Sequence, residues 1–555
     1  MEASLRGVST LPDVSVRSDL AEVPAVRHRA RASALNALFA PLDRLIGSGG
    51  DPRLDIDPVS ATNDYGCGLS PCPNLLSLAS STATSISERA FAHAGRARQS
   101  LMRCAVTHGM EEAFDARIEA MRGELKARLG LSPDAAEVIF SPSGTDSQLH
   151  ALLLVRALQG PALTTVIVAA DQTGSGTAAT ARGHHFNTAT ATGGRVLKGE
   201  PIAGLARSVA SVAIGLLDER GDRRAEAEAD AMVLGAIEAS IADGTRVLLQ
   251  IMDCSKLGWR APSEPCLEEI ALRWPDRVQI VVDACQMRLG RPRLRKYLDR
   301  GYLVIVTGSK FFTGPAFSGA LLVPAGLASA VGAISEIAPG FRGYSSRSDW
   351  PVHWRALRSG FPVRVNLGQW LRWEAALEEI RAYRAVPDRF RLRALTRFGQ
   401  ALKRIMASSP SLRLLPPQRS VGHAGLDDEE LAQPTIFPFA IRHDNRDLTL
   451  AEGRTIYRAL AMGADDAASA NGCDRAAEPC LVGQPVAWPC GGPQPAALLR
   501  ICASARLVTE TWSSHEATAD RNLQRELGRV GALAANIERL VSRLPGVNPT
   551  EFSHG

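Results

Sequence analysis

Lys310 stands where a strand would deliver a side chain to a ligand. The apolar run Leu303 to Val306 is followed by Thr307, Gly308, Ser309, Lys310, Phe311, Phe312, Thr313, Gly314 and Pro315. An amine used as a Schiff-base nucleophile must spend time deprotonated, and apolar neighbours or a second cation lower its pKa from about 10.4. A solvated lysine after a strand is the plainer use of the same residues. A second run, Gln279 to Val282, ends in Asp283, with Gln286 three residues later. A carboxylate at the end of a buried strand is costly without a partner. A protonated pyridine nitrogen is such a partner, and the pair keeps the ring electron-poor; Gln286 is then placed to donate to the ring's phenolate oxygen. Capping of the next helix is the alternative use of Asp283. In a third segment, Glu137 to Phe140 leads into Ser141, Pro142, Ser143, Gly144, Thr145 and Asp146, then a helical run from Ser147 to Leu158. The amides of Gly144 and Thr145, the Thr145 hydroxyl and the helix start suit a phosphate dianion, with Thr307 and Ser309 adding hydroxyls. A plain turn before a helix would use the same residue types.

These residues need a sheet to converge. Short apolar runs at Glu137 to Phe140, Thr165 to Ala169, Arg246 to Met252, Val278 to Val282, Leu303 to Val306 and Ala320 to Val323 alternate with helical stretches. Their near-continuous apolar character predicts strands covered on both faces, hence a mostly parallel sheet with flanking helices. Ligands bind such sheets at the carboxyl ends of the strands. Residues 1–60 read as an N-terminal extension with a helix from about His28 to Ile46 and a break at Gly49, Gly50, Asp51 and Pro52. Residues 61–370 form the large domain with an N-terminal substrate-side segment, and 371–555 a linker helix and a smaller C-terminal domain. The linker helix spans Leu367 to Tyr383; further helices lie near Leu395 to Met406 and Leu523 to Leu544, and Gly463 to Gly492 reads as irregular.

Composition narrows the class. A chain of 555 residues, 45% hydrophobic and 22% charged, with no unbroken stretch of 18 apolar residues, reads as soluble, globular and multidomain, with no membrane span. The formal charge of +5 is too small for a nucleic-acid binder, and the basic run Arg291 to Lys296 reads as a solvated helix face. Ten scattered cysteines and no apolar signal core in Met1 to Arg17 favour the cytoplasm. Cys67 and Cys72 have no second pair at metal-ligand spacing, so no metal is expected.

In their order and separation, the three segments resemble the aminotransferase class V superfamily of pyridoxal-phosphate enzymes, which also contains cysteine desulfurases and kynureninases. The similarity runs from about Asn63 to Glu510. It implies an α/β fold of fold type I, with a large, mostly parallel seven-stranded sheet domain and a smaller C-terminal α+β domain. Lys310 matches the cofactor lysine, Asp283 the partner of the pyridine nitrogen and Gln286 the phenolate ligand. Gly144, Thr145, Thr307 and Ser309 match the phosphate ligands, and Ser255 a polar residue near the phenolate. Asn63, Tyr65 and Gly66 resemble the substrate-side loop, and Arg500 the arginine that grips the substrate carboxylate, although a surface salt bridge competes for that arginine. Desulfurases place a ring-stacking histidine where this chain has Asp171 to Gly176, so either the ring rests on Gln172 or Thr173 or the match is locally out of step, and desulfurase chemistry loses support; His184 and His185 are read as surface groups. The resemblance implies pyridoxal 5'-phosphate as cofactor, an amino-acid substrate, and a homodimer in which Phe341 to Tyr344 reaches the neighbouring phosphate. Transamination, with Lys310 taking the Cα proton, is the leading reaction. A cysteine desulfurase or related carbon–sulfur lyase, using Cys473 or Cys480 as a mobile thiol, is the alternative, and a non-catalytic scaffold ranks below both. Cys285 and Cys502 are expected to be buried.

Overall fold

The computed structural model describes residues 36–205, 209–415, 427–463, 478–489 and 494–544. In chain order its strands are β1 (Leu76–Leu78), β2 (Ala136–Ser141), β3 (Leu163–Val168), β4 (Val209–Ile214), β5 (Arg246–Met252), β6 (Val278–Asp283), β7 (Leu303–Thr307), β8 (Gly319–Pro324), β9 (Leu412–Leu414), β10 (Ile436–His443), β11 (Arg446–Asp447), β12 (Cys480–Trp488) and β13 (Ala496–Cys502).

Seven strands form one sheet in the order β2-β8-β7-β6-β5-β3-β4. The reason for its apolar runs is burial on both faces. Along β7, Val304 and Val306 join the main core while Leu303 and Ile305 join a second cluster behind the sheet, and β2 divides Val138 and Phe140 from Ile139 in the same way. Neighbouring strands are parallel except β8, which is antiparallel to both β2 and β7. A parallel return from β7 would need a crossover helix; residues 308–318 turn back directly instead, and this connection carries Lys310. This is the architecture expected of fold type I: a large mixed α/β sheet domain and a smaller α and β region.

The sequence missed β4. It is the edge strand, mostly exposed or half-buried, and its Ala and Ser residues do not make an apolar run. The region read as irregular, Gly463 to Gly492, is corrected in its described part: Cys480–Trp488 is β12, a strand of the second sheet. That sheet has the order β1-β12-β13-β10-β11 with β9 against β10, so a strand from the N-terminal third completes a C-terminal sheet. The expected helix from His28 to Ile46 is described only from residue 36; Pro41 caps a shorter helix, Leu42–Ile46.

One helix ties these parts together. Leu367–Ala385, labelled α1 here, is almost wholly buried. Its Arg372 donates to the carbonyls of Phe317 (2.7 Å), Ile46 (2.7 Å) and Gly49 (3.0 Å), joining the N-terminal segment to the Lys310 connection. A Cβ on Gly308 or Gly314 would stand 2.4 or 2.7 Å from Ala376 Cβ, so the connection lies directly on α1 with no space for a side chain there.

Candidate functional site

The carboxyl ends of β2, β6 and β7 meet. Asp283 ends β6 in register with Ile305 of β7, and Lys310 follows β7 by three residues. Lys310 is half-buried, its carbonyl accepts from Thr313 N (2.9 Å), and Phe311 and Phe312 beside it pack edge-on against Tyr383 of α1. The two phenylalanines and the Gly308 contact hold the lysine's backbone against α1. Asp283 Oδ1 accepts from Cys285 N (3.1 Å), and the carboxylate makes no ion pair among the described residues. Lys256 lies within electrostatic reach of both Asp283 and Lys310.

The third expected segment joins this place. The helix Gly144–Gln159, labelled α2 here, begins where a Cβ on Gly144 would stand 2.5 Å from Cys285 Sγ and 3.5 Å from Thr307 Cγ2. Ser143 caps it by accepting from Asp146 N (3.2 Å), which leaves the first-turn N–H groups of Gly144 and Thr145 for an anion. A Cβ on Gly176 would come 2.7 Å from Thr145 Cγ2, so the 171–176 loop borders the same point. Ser309 is buried nearby in sequence; Thr307 Oγ1 is committed as a donor to Cys285 O (2.7 Å) and offers only its lone pairs.

A cation not foreseen from the sequence stands beside α2. Arg53 is held by Asp51 through Nε (2.8 Å), reaches Ser143 Oγ at 3.4 Å, and lies over the Phe317 ring at 4.8 Å. Asn187 Nδ2 donates to the same Asp51 (3.0 Å). Asp146, fully buried, accepts from the Ser143 hydroxyl with one oxygen and leaves the other unpartnered; burial, reinforced by Asp51, pushes its carboxyl up to about 7.

The substrate-side residues divide. Arg500 on β13 is buried and has no carboxylate partner among the described residues. It donates to Ser81 Oγ (3.3 Å), Thr82 Oγ1 (2.9 Å) and the Gln484 carbonyl, and burial lowers its pKa. One N–H on each terminal nitrogen remains, a fork suited to a carboxylate; the surface salt bridge considered for it is excluded by its burial. Gln286 is mostly spent: it donates to Ser81 O (2.9 Å) and accepts from Arg288 (2.7 Å), leaving one N–H. Ser255 Oγ accepts from Leu257 N and Trp259 N (both 3.1 Å), closing its own turn and keeping only its hydroxyl proton to give. Asn63 likewise folds its own loop, accepting from Tyr65 N (3.0 Å) and Cys67 N (3.2 Å). Tyr65 sits by Phe317 and Arg53, toward the α2 end.

Gln172 is buried, and Thr173 turns its hydroxyl back to Ala170 O (3.1 Å) while its carbonyl accepts from Lys256 Nζ (2.7 Å). His184 and His185 are half-buried rather than surface groups; His185 stacks on Tyr344 and shares a 2.6 Å hydrogen bond with its hydroxyl. Phe341 and Tyr344 are buried within their own chain, so only Arg342 of that segment is exposed. Cys480 is a buried residue of β12 whose thiol burial pushes far up, which removes it as a mobile nucleophile; Cys473 lies outside the described residues. Cys285 and Cys502 are buried, as expected.

Three residues were overlooked: Arg53, Lys256 and Arg288. Arg288 is buried without an acid, donating to Thr435 Oγ1 (2.9 Å), Ser80 Oγ (2.8 Å) and Gln286. Lys256 had a readable signal, since it follows β5 much as Lys310 follows β7. Arg53 and Arg288 had none, because their burial depends on packing. No helix among the described residues is long and apolar enough to cross a membrane.

No family model and no curated protein matches the chain. Among solved structures, it is similar to a NifS-like protein from Rickettsia africae (11% identity, 84% of this chain and 99% of that one, TM-score 0.48). It is also similar to Catharanthus roseus tryptophan decarboxylase in complex with L-tryptophan (12% identity, 92% and 99%, TM-score 0.47), and to the cystine C–S lyase C-DES (13% identity, 82% and 98%, TM-score 0.46). At these scores the likenesses carry no weight for activity; the fold stands on the strand order and register of the two sheets.

Proposed function

We propose that the protein is a pyridoxal 5'-phosphate-dependent enzyme acting on an amino acid, with transamination as its reaction. The observation that carries this reading is the convergence of Asp283, Lys310 and the start of α2 at the carboxyl ends of β6, β7 and β2 of one sheet. The residues fit the cofactor: Gly144 leaves a cradle that a Cβ would fill, Gly144 and Thr145 offer N–H groups to a phosphate, and Asp283 keeps an oxygen for a ring nitrogen. When bound, pyridoxal phosphate supplies an aldehyde for amines and a protonated ring that accepts the electrons left when a bond to Cα breaks.

The chain's own groups do the rest. Lys310 holds the cofactor through its amine and, once displaced by substrate, takes the Cα proton. Asp283 keeps the ring nitrogen protonated. Arg500 fixes the substrate carboxylate and so sets which bond to Cα faces Lys310. A desulfurase would need a mobile thiol; the burial of Cys480 argues against that cysteine, and Cys473 lies outside the described residues. A homodimer and a cytoplasmic location belong to the same reading.

The test is an absorbance spectrum of the purified protein, followed by single-turnover addition of an amino-acid panel with keto-acid and sulfide detection. A band near roughly 410–430 nm, absent in Lys310→Ala, is the expected result. Its absence after reconstitution overturns the cofactor assignment; keto-acid release supports transamination, and sulfide release from cysteine overturns it in favour of the lyase.

A further inference from the structure

Lys256 has no part in the chemistry above. It leaves β5 beside the site, half-buried, with its Nζ on the Thr173 carbonyl at 2.7 Å and no carboxylate within ion-pair distance among the described residues. The groups it feels are Arg500 from β13, Lys310 from the β7–β8 connection and Asp283 from β6. It therefore stands in reach of both the residue that grips the α-carboxylate and the residue that works on Cα. A side chain growing from that Cα has Lys256 as a neighbour.

Charge sharpens the point. Among the described residues, Lys256, Arg288 and Arg500 gather here with Asp283, committed to the ring nitrogen, and Asp253, already engaged by Tyr297 and Arg260, while the Lys310 amine is taken up by the cofactor. One substrate carboxylate answers Arg500 and leaves Lys256 and Arg288 without an acidic partner among the described residues. A buried cluster of this sign is costly until anions arrive. Arg288 already has Thr435, Ser80 and Gln286 for its donors, whereas Lys256 has one carbonyl and two N–H groups to spare.

Resting on the proposed reading of the site, we infer that the substrate is an amino acid with an anionic side chain, a second carboxylate or a group of like charge and size, and that Lys256 is the residue that selects it. Desolvation, with Arg500 and Lys310 adding repulsion, pulls the Lys256 amine down to about 7. In the empty site at pH 8 it is mostly neutral, and an incoming anion favours the charged form, so binding takes up a proton.

The experiment is calorimetric titration of the reconstituted holoenzyme at pH 8 with succinate and with butyrate, in two buffers of different ionisation enthalpy. The expected result is about 10- to 100-fold tighter binding of succinate, with uptake approaching one proton per site. Lys256→Met should abolish both the preference and the uptake, while Lys256→Arg, always charged, should keep the preference and lose the uptake. Equal binding of the two ligands, or a preference that survives in Lys256→Met, overturns the inference while the absorbance band of the holoenzyme leaves the cofactor reading standing. A Lys256→Met protein in which both ligands weaken equally assigns the residue to tethering the 171–176 loop and also overturns it. Absence of the band overturns both.

Discussion

Gly144→Ala isolates the contact on which the proposed anion site depends. Alanine is intrinsically favoured over glycine in a helix by roughly 0.5–1 kcal/mol, so with free space the change would stabilise. The space is not free. The new Cβ would stand 2.5 Å from Cys285 Sγ, 3.5 Å from Thr307 Cγ2 and 3.9 Å from Cys285 Cβ. Nonbonded heavy atoms settle at about 3.5–4.0 Å, so only the sulfur is in the way, by about 1 Å. Relieving that overlap moves the start of α2 or the turn after Asp283, at a cost of about 1–3 kcal/mol. The net expectation is a loss of about 1–2 kcal/mol in stability and, on the proposed reading in which these N–H groups hold the phosphate, roughly 10-fold weaker pyridoxal phosphate binding. Cys285→Ala removes Sγ and leaves the two ordinary contacts, so Gly144→Ala added to it should be neutral or stabilising. The four proteins form a cycle, read by urea unfolding and by equilibrium binding of the cofactor, with a coupling of about 2 kcal/mol. If Gly144→Ala costs the same with and without the sulfur, the contact does not shape the site and the reasoning fails.

Three further outcomes are expected. His150 is buried in α2 with neither ring nitrogen bonded, and burial lowers its pKa to about 3; its stabilising contribution is complete above about 6.5 and is lost as pH falls toward 3. His150→Phe should therefore flatten the acid limb of the urea midpoint against pH, by roughly 2 kcal/mol at pH 5, and parallel limbs would refute the shift. Asp146, raised to about 7, works in the opposite sense: the fold favours its protonated form, and stability drains as pH rises from about 4 through 7. Asp146→Asn should raise the melting temperature at pH 8 and lose that advantage at pH 4; an equal gain at both would tie it to something other than ionisation. Arg500→Lys keeps the charge but loses the fork, so KM for the amino acid should rise about 10- to 100-fold with kcat little changed, and an unchanged KM would remove Arg500 from the carboxylate.

What the sequence revealed follows from burial on both faces. Central strands such as β5 and β7 are legible because each of their residues meets one core or the other, and Asp283 and Lys310 stand out by ending such runs. Strands that break this rule stay hidden. β4 lies at an edge, and β12 carries Gly483 and Pro485, tolerated because the register with β13 shifts between Gly483 and Val486. The site was half legible for a related reason. Residue type and position after a strand pointed to Lys310, Asp283 and Gly144, but whether a polar side chain is free depends on contacts made hundreds of residues away. Gln286 reads as a ligand until Ser81, 205 residues earlier, is seen to take one of its N–H groups, and Arg53 has no meaning until Phe317 is beneath it.

The parallel pairing of β1 with β12 joins Leu76 to Cys480. Just past β1, Ser80, Ser81 and Thr82 receive hydrogen bonds from Arg288 and Arg500. The segment that receives these arginines is thus stitched to the C-terminal sheet by a contact of very high order, formed only after the intervening chain exists. During synthesis the large sheet can close while Leu76 to Thr82 waits for its partner strand. A ribosome-bound fragment ending before β12 would own Lys310, Asp283 and the start of α2, yet lack the strand that carries Arg500; on the proposed reading such a fragment separates cofactor capture from substrate selection in time.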